Sequence, residues 1–334
     1  MKKYQTLILG RKEIERLLSV QDAISSVEQA FKEYGLGRAQ MPPKIYLDLK
    51  KFGGDFRAMP AYAKKFKICT LKWVNAHPRN PLRFGLPAVM AVLVISDPKT
   101  GFPLAIMDGT LATSLRTGAG GAVAAKYLAR KNSSVVGLVG CGVQARSQLE
   151  ALRRIFKIQK VNVWGLEKAL VKRFIRKMKR KNEAMTAAQN IRECIRDADI
   201  VVTTTPSRKP IVQPAWVKEG THINAIGADA PGKEELDLGI LKKAKVVVDD
   251  IAQASHSGEI NVPFHKGILR PKDIYATLGE IVAGKKKGRT GAKEITVFDS
   301  TGLAIQDVAV ASLIYRQALK KKIGRYVEIV SNVS

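Results

Sequence analysis

The sequence predicts an α/β protein: a doubly wound, Rossmann-type parallel sheet joined to a mixed α/β unit rich in strands. Three observations carry this. Residues 135–145, VVGLVGCGVQA, run from an apolar stretch into glycines at 140 and 142 and a small residue at 145. A helix-like pattern follows from Leu149 to Phe156, so the glycines lie between strand and helix. That is the setting in which G-x-G-x-x-G/A cradles a dinucleotide at a helix N-terminus. Beyond residue 133, short apolar runs alternate with helix-like segments, the pattern of parallel strands with crossover helices.

In the N-terminal region, residues 11–37 place Ile14, Leu17, Leu18, Ala23, Val27, Ala30 and Phe31 on one helical stripe, closed by Gly35 and Gly37. Residues 44–49 alternate as a half-buried strand does. Strand-like runs follow at 68–74 and 87–95. The DPKTG at 97–101 is a turn into a returning strand at 103–107. Residues 110–131 form a long helix with Thr110 or Thr113 as its cap. It contains RTGAGG at 116–121. Each glycine weakens a free helix by about 1 kcal/mol relative to alanine, so the run points to close backbone packing or a nearby ligand. Strands of the second region are expected at 135–140, 160–164, 200–205, 222–227, 246–250 and 294–299. The last helix, 304–320, follows the final strand and can return to the N-terminal unit.

Hydrophobic residues make up 46% of the 334 positions, enough for a full core. No uninterrupted apolar run reaches the roughly 20 residues of a membrane helix. The N-terminus lacks a signal-peptide pattern. Three widely spaced cysteines, Cys69, Cys141 and Cys194, form no disulfide framework and suit a reducing compartment. A cytoplasmic protein with no membrane partner is expected. Four histidines stand away from any ligand spacing, so no metal site is expected. The net charge of +28 raises the question of polyanions. Its densest run, 168–181, carries Leu170, Val171, Phe174, Ile175 and Met178 at helical spacing, which makes it an amphipathic surface helix. Lysine clusters at 285–287 and 320–322 fall at helix ends, where cations complement the dipole. Solvated faces account for most of the charge, and no specific nucleic-acid partner is expected.

Ligands of open α/β sheets bind at the carboxyl ends of strands. Three such ends carry polar groups: Thr205 in TTTPS at 203–207, Asp229 after Gly227 and Ala228, and Ser300 in DSTG at 299–302. Asp229 suits acid–base work or an ammonium partner; its structural reading is a turn or helix cap. Lys72 sits inside an apolar strand. It lies either at a sheet edge facing water, or partly buried with a lowered pKa suited to proton transfer. Arg116, beside glycines, suits a carboxylate or phosphate gripped bidentately; its structural reading is a helix surface charge. Arg57 stands out in RAMPAY at 57–62.

Seven motifs occur together: MPPK at 41–44, RAMPA at 57–61, KWVN at 72–75, TSLRTGA at 113–119, GCGVQA at 140–145, DAPGKEEL at 229–236 and DSTGLAIQD at 299–307. In these, and in their order, the sequence resembles the ornithine cyclodeaminase/mu-crystallin family over nearly its whole length. The resemblance implies a homodimer of two-domain subunits. Residues 1–115 with 303–334 would form a substrate and dimerisation domain, and 116–302 the Rossmann domain. It also implies a nicotinamide cofactor and a small amino- or imino-acid substrate. Carried over by position, Lys72 is implied as the acid/base and Asp229 as the aspartate beside the reacting amine. Lys44 and Arg116 are implied around the substrate carboxylate. Arg116, Thr117, Gly140, Gly142, Val143, Gln144, Ala145, Gly165, Thr205, Ala228 and Ser300 fall at the cofactor positions.

Two departures from the family pattern sharpen this. Ornithine cyclodeaminases carry a glutamate where this chain has Arg57. An arginine there repels a distal ammonium by roughly 1–4 kcal/mol at 4 Å. Arg57 suits a short substrate held by its carboxylate. The expected reaction is therefore NAD(P)-dependent oxidative deamination of L-alanine to pyruvate and ammonia, with the reverse amination. The alternatives are a ketimine or imine reductase, an ornithine cyclodeaminase-like enzyme, or a cofactor-bound binding protein without catalysis. The second departure follows Trp164, where NAD-specific members place an acid for the ribose hydroxyls. Here the residue is Gly165, followed by Leu166 and Glu167, with Lys168 and Lys172 close enough to attract a 2′-phosphate. NAD is the expected cofactor and NADP the alternative.

Overall fold

A computed structural model, describing residues 4–331, has the expected α/β class. It divides into two compact units, Met1–Arg116 with Leu303–Ser334, and Thr117–Gly302.

The first unit is built on one mixed sheet. Its strands are β1 (Thr6–Leu9), β2 (Ala39–Gln40), β3 (Ile45–Leu49), β4 (Gly54–Ala63), β5 (Ile68–Ala76), β6 (Val89–Ser96) and β7 (Pro103–Asp108), with Arg325–Val327 beside β1. The order is Arg325–Val327, β1, β7, β6, β5, β4, β2, and β3 pairs with β4. Lys72 on β5 stands opposite Met59 on β4 and Leu93 on β6. Strand alternation sends Met59, Ala61, Lys72, Val74, Leu93 and Ile95 to the buried face. The same alternation leaves Leu71, Trp73 and Val92 exposed. Helices Val20–Gly35 and Ala304–Lys321 pack together on this unit, and Ser26 Oγ donates to the Ala309 carbonyl at 3.0 Å. The single stripe expected over 11–37 is two helices, Arg11–Leu17 and Val20–Gly35. Ser19 divides them by capping the second, its Oγ accepting the Asp22 N–H at 3.1 Å.

The second unit carries β8 (Val135–Val139), β9 (Lys160–Trp164), β10 (Ala184–Ala187), β11 (Ile200–Thr203), β12 (Arg208–Val212), β13 (His222–Ala225), β14 (Glu234–Leu236), β15 (Lys245–Val248), β16 (Ala276–Thr277) and β17 (Thr296–Asp299). Eight of them form a sheet in the order β10-β9-β8-β11-β13-β17-β15-β16, every pair parallel. β12 and β14 pair with each other beside it. Buried apolar clusters form its core, one around Leu138, Leu149, Val163 and Phe174, the other around Val201, Ile223, Ile240 and Val297. The basic helix Lys168–Met178 buries Val171, Phe174 and Met178 and leaves its lysines and arginines outside.

The helix Gly109–Leu128 is capped by Asp108, not by Thr110 or Thr113. The Asp108 carboxylate accepts the N–H groups of Thr110 at 3.0 Å and Leu111 at 3.1 Å. Thr110 Oγ1 is used instead by the Ala91 N–H, at 3.1 Å. The glycine run answers to close packing: a side chain at Gly121 would overlap Gln148 Oε1, and one at Gly118 the Ser147 carbonyl. Among the described residues no helix is long and apolar enough to cross a membrane, and no group of His, Cys, Asp and Glu is placed to hold a metal ion.

Candidate active site

β5 lies between β4 and β6, so of the two readings of Lys72 the buried one applies and the edge one does not. Lys72 is fully buried, and Nζ donates to Asp307 Oδ2 at 2.8 Å. Asp307 lies in the first turn of Ala304–Lys321. Its other oxygen accepts Arg116 Nε at 3.2 Å, while Arg116 Nη1 donates to Gln306 Oε1 at 2.9 Å. Burial pulls the Lys72 pKa down to about 7; the Arg116 charge adds to the fall, Asp307 opposes it, and Lys44 contributes last. A group poised near neutrality can both take and return a proton.

Arg57 opposes Val74 across the β4–β5 pair and so shares the face of Lys72. Asp55 grips it twice, Nε to Oδ1 at 2.7 Å and Nη2 to Oδ2 at 3.1 Å. Its guanidinium lies 5.3 Å from the Tyr46 ring centroid. Lys44 is half-buried, close enough to act electrostatically on Lys72. Lys72 and Arg116 thus converge on Asp307, with Lys44 near Lys72 and Arg57 on the same sheet face. Cations outnumber carboxylates here, which suits a small anion such as a carboxylate. Asp307 and Gln306 were not singled out from the sequence. The available signal was a charge inside an otherwise apolar helix start, AIQDVAVA.

In the second unit the glycine turn follows β8. Gly140 takes φ +110°, donates its N–H to the Trp164 carbonyl at 2.8 Å, and a side chain there would lie 2.5 Å from Thr204 Oγ1. Gly142 precedes the helix Val143–Ile155, which has no side-chain cap. A side chain at 142 would meet nothing within 4 Å. Gln144 is half-buried and Ala145 fully buried against the core. An uncapped helix start beside open space fits a pyrophosphate. Gly165 follows β9, and a side chain there would come within 2.9 Å of Cys141 Sγ and 3.1 Å of Val171 Cγ2. Burial and, after it, the Glu167 charge push up the Cys141 thiol pKa, which places the Glu167 carboxylate near the turn.

The remaining expected positions also follow strand ends. Thr205 comes after β11, Ala228 and Asp229 after β13, and Ser300 after β17. Thr205 donates its N–H to Glu235 Oε1 at 2.6 Å, and Ser300 donates its own to the Ala225 carbonyl at 3.0 Å. Ala228 is buried, and Asp229 Oδ1 accepts Lys233 Nζ at 2.6 Å. The Thr117 carbonyl accepts Gln148 Nε2 at 2.9 Å. β8 lies between β9 and β11, so the winding reverses beside it, the switch point at which such sheets bind ligands.

Known proteins resemble this chain over nearly its whole length. A model of the ornithine cyclodeaminase/mu-crystallin family matches residues 4–322. The alanine dehydrogenase of Archaeoglobus fulgidus is 56% identical over 96% of this chain and 97% of its own length. A solved archaeal alanine dehydrogenase dimer with bound NAD is 55% identical, with a TM-score of 0.93, covering 98% of this chain and all of that one (100%). The Delta(1)-pyrroline-2-carboxylate reductase of Thermococcus litoralis, solved with NADH and L-proline, is 40% identical with a TM-score of 0.93, over 96% of this chain and 100% of that one.

Proposed function

The chain belongs to the ornithine cyclodeaminase/mu-crystallin family, and on that premise we propose that it is an NAD-dependent L-alanine dehydrogenase that works as a homodimer. The observation that carries this reading is Lys72: a fully buried lysine with a pKa near 7, set among cations that fit a short carboxylate substrate.

The bound dinucleotide supplies a hydride acceptor for the substrate Cα–H. Arg116, Lys44 and Arg57 hold the substrate carboxylate and so fix the orientation of Cα. Loss of the Cα hydride leaves an iminium, which water attacks. Neutral Lys72 takes the proton released by that water, and its ammonium form returns a proton to the departing amine. Asp307 keeps Nζ in place and moderates the fall in its pKa. Asp229 orients the amine or the water. The products are pyruvate and ammonium; the reverse direction aminates pyruvate.

Three features support the cofactor and assembly. The glycine turn and the uncapped helix Val143–Ile155 suit a pyrophosphate. The Glu167 charge near Cys141 disfavours a 2′-phosphate and so favours NAD over NADP. The exposed apolar sheet face, with Leu71, Trp73 and Val92, suits a second copy of the chain.

A second reading is reduction of a cyclic imine, supported by the relative solved with NADH and L-proline. It uses the same hydride chemistry without hydrolysis. Initial rates separate the two: L-alanine, L-proline and L-ornithine with NAD and with NADP, then pyruvate plus ammonium against a cyclic ketimine with NADH. Alanine turnover is expected, and it should vanish in Lys72→Ala while NADH binding persists. Turnover by that variant would remove Lys72 from the mechanism. Imine reduction without alanine turnover would favour the second reading.

A further inference from the structure

Outside the residues assigned above, the second unit holds a run of buried acids that bridge backbone to backbone. Glu235 lies on β14 and is fully buried. Its Oε1 accepts the Thr205 N–H at 2.6 Å and its Oε2 the Gly227 N–H at 3.0 Å. One carboxylate thereby ties the loop after β11 to the loop after β13. A side chain at 227 would overlap the Thr205 carbonyl and fall 2.5 Å from Glu235 Oε2, so a glycine is needed there to admit the carboxylate.

Glu259 supports this bridge from behind. Its Oε1 accepts the N–H groups of Glu235 at 2.7 Å and Leu236 at 2.6 Å. Asp299, next to Ser300 at the end of β17, accepts the N–H groups of Glu259 at 2.8 Å and Ile260 at 3.1 Å. All three acids are fully buried. Burial, and then the Glu235 and Asp299 charges, hold the Glu259 pKa well above the carboxylate range. Glu259 Oε2 has no hydrogen-bond partner among the described residues. That fits a neutral acid, because a bare charged oxygen in such a place is far costlier. Burial raises Glu235 too, but the Thr203 and Thr205 side chains, and after them the two N–H donors, favour its charged form.

We propose that Glu235 is a positioning residue: its carboxylate sets the loops that carry Thr205, Ala228 and Asp229. The inference rests on the proposed function only for what those loops do. An amide at 235 can offer its oxygen to one of the two N–H donors, and its NH₂ must then face the other. An amide at 259 instead reproduces a neutral acid, with one oxygen still accepting both N–H groups.

The test compares Glu235→Gln and Glu259→Gln with the wild type. Glu235→Gln should lower kcat for L-alanine with NAD at least tenfold through Asp229, and weaken NADH binding by a smaller factor through Thr205 and Ala228. Glu259→Gln should stay within about twofold of the wild type in both. Wild-type kcat in Glu235→Gln, an equal loss in Glu259→Gln, or loss of NADH binding in proportion to kcat would each overturn the proposal. Hydrogen–deuterium exchange of the wild type reads the same bridge without a variant and decides the matter if Glu235→Gln does not fold. Slow exchange at the Thr205 and Gly227 amides supports the bridge, and solvent-like exchange overturns it. A wild type that neither oxidises alanine nor binds NADH sinks the functional reading instead, and the exchange measurement still decides the bridge.

Discussion

Replacing Asp307 with Asn removes a negative charge 2.8 Å from Lys72 Nζ and keeps the side-chain shape. At an effective dielectric near 20, the attraction lost is about 6 kcal/mol before desolvation is counted. Opposite charges at such distances typically move a pKa by about 1–3 units. The Lys72 pKa, already pulled to about 7, should therefore fall further, because the burial and the Arg116 charge that depress it both remain. In the proposed mechanism alanine oxidation needs neutral Lys72. The rising limb of kcat/KM for alanine should move about 1–3 pH units toward acid. In the same mechanism amination of pyruvate needs the protonated form. A fall of about one pH unit leaves roughly a tenth of Lys72 protonated at pH 7, against about half in the wild type. The amination rate at pH 7 should drop about fivefold or more. Breaking a buried ion pair commonly costs about 3–5 kcal/mol. Here the cost should sit at the low end, since Lys72 can shed its proton and Arg116 keeps Gln306. Initial rates in both directions from pH 5 to 10 check this. An unmoved limb in Asp307→Asn would refute the role of Asp307 and the assignment of that limb to Lys72.

Three further outcomes are expected. His222 is fully buried between Thr296 Oγ1 and Asn224 Oδ1, and burial pulls its pKa from 6.5 to about 3. Because the folded pKa is the lower one, the stability this neutral ring contributes is present above pH 6.5 and is lost as pH falls toward 3. The loss approaches about 5 kcal/mol, and denaturant titrations from pH 7 to 4 should show a slope that His222→Gln lacks. Gly121→Ala forces a methyl onto Gln148 and should cost about 1–3 kcal/mol in thermal or chemical unfolding; an unchanged midpoint would mean the two helices are looser than described. Glu167→Gln should lower the ratio of kcat/KM with NAD to that with NADP about two- to fivefold, as befits one exposed charge, and a constant ratio would remove Glu167 from cofactor selection.

Local pattern made the sheet of the second unit legible. β8, β9, β11, β13, β15 and β17 all lie where apolar runs between turns place them, each within one or two residues of the expected bounds. Those bounds ran long into the polar ends at Thr205, Gly227 and Asp250, which belong to loops and caps. The break at Ser19 was missed because its apolar flanks stay in phase across one non-helical turn. The Asp108 cap was missed because a strand-end aspartate and two threonines inside the helix compete for the same job, and geometry alone chooses between them.

The glycine turn at 140–145 is a short-range feature: glycine spacing, strand before and helix after are all contained in some twenty residues, so the sequence by itself determined the fold class and the family. Lys72 is the opposite case. Its strand could be written down from the sequence, but whether that strand was central or at an edge depends on β4 and β6 flanking it. Its partner Asp307 is 235 residues away, at the start of a helix that returns to the first unit. Glu235, Glu259 and Asp299 likewise come from three separate segments, and only the fold makes them neighbours. Burial and partner choice set a pKa, and both are sums over residues distant in the chain. The tertiary structure alone therefore decided that Lys72 titrates near pH 7, and which acids hold the loops in place.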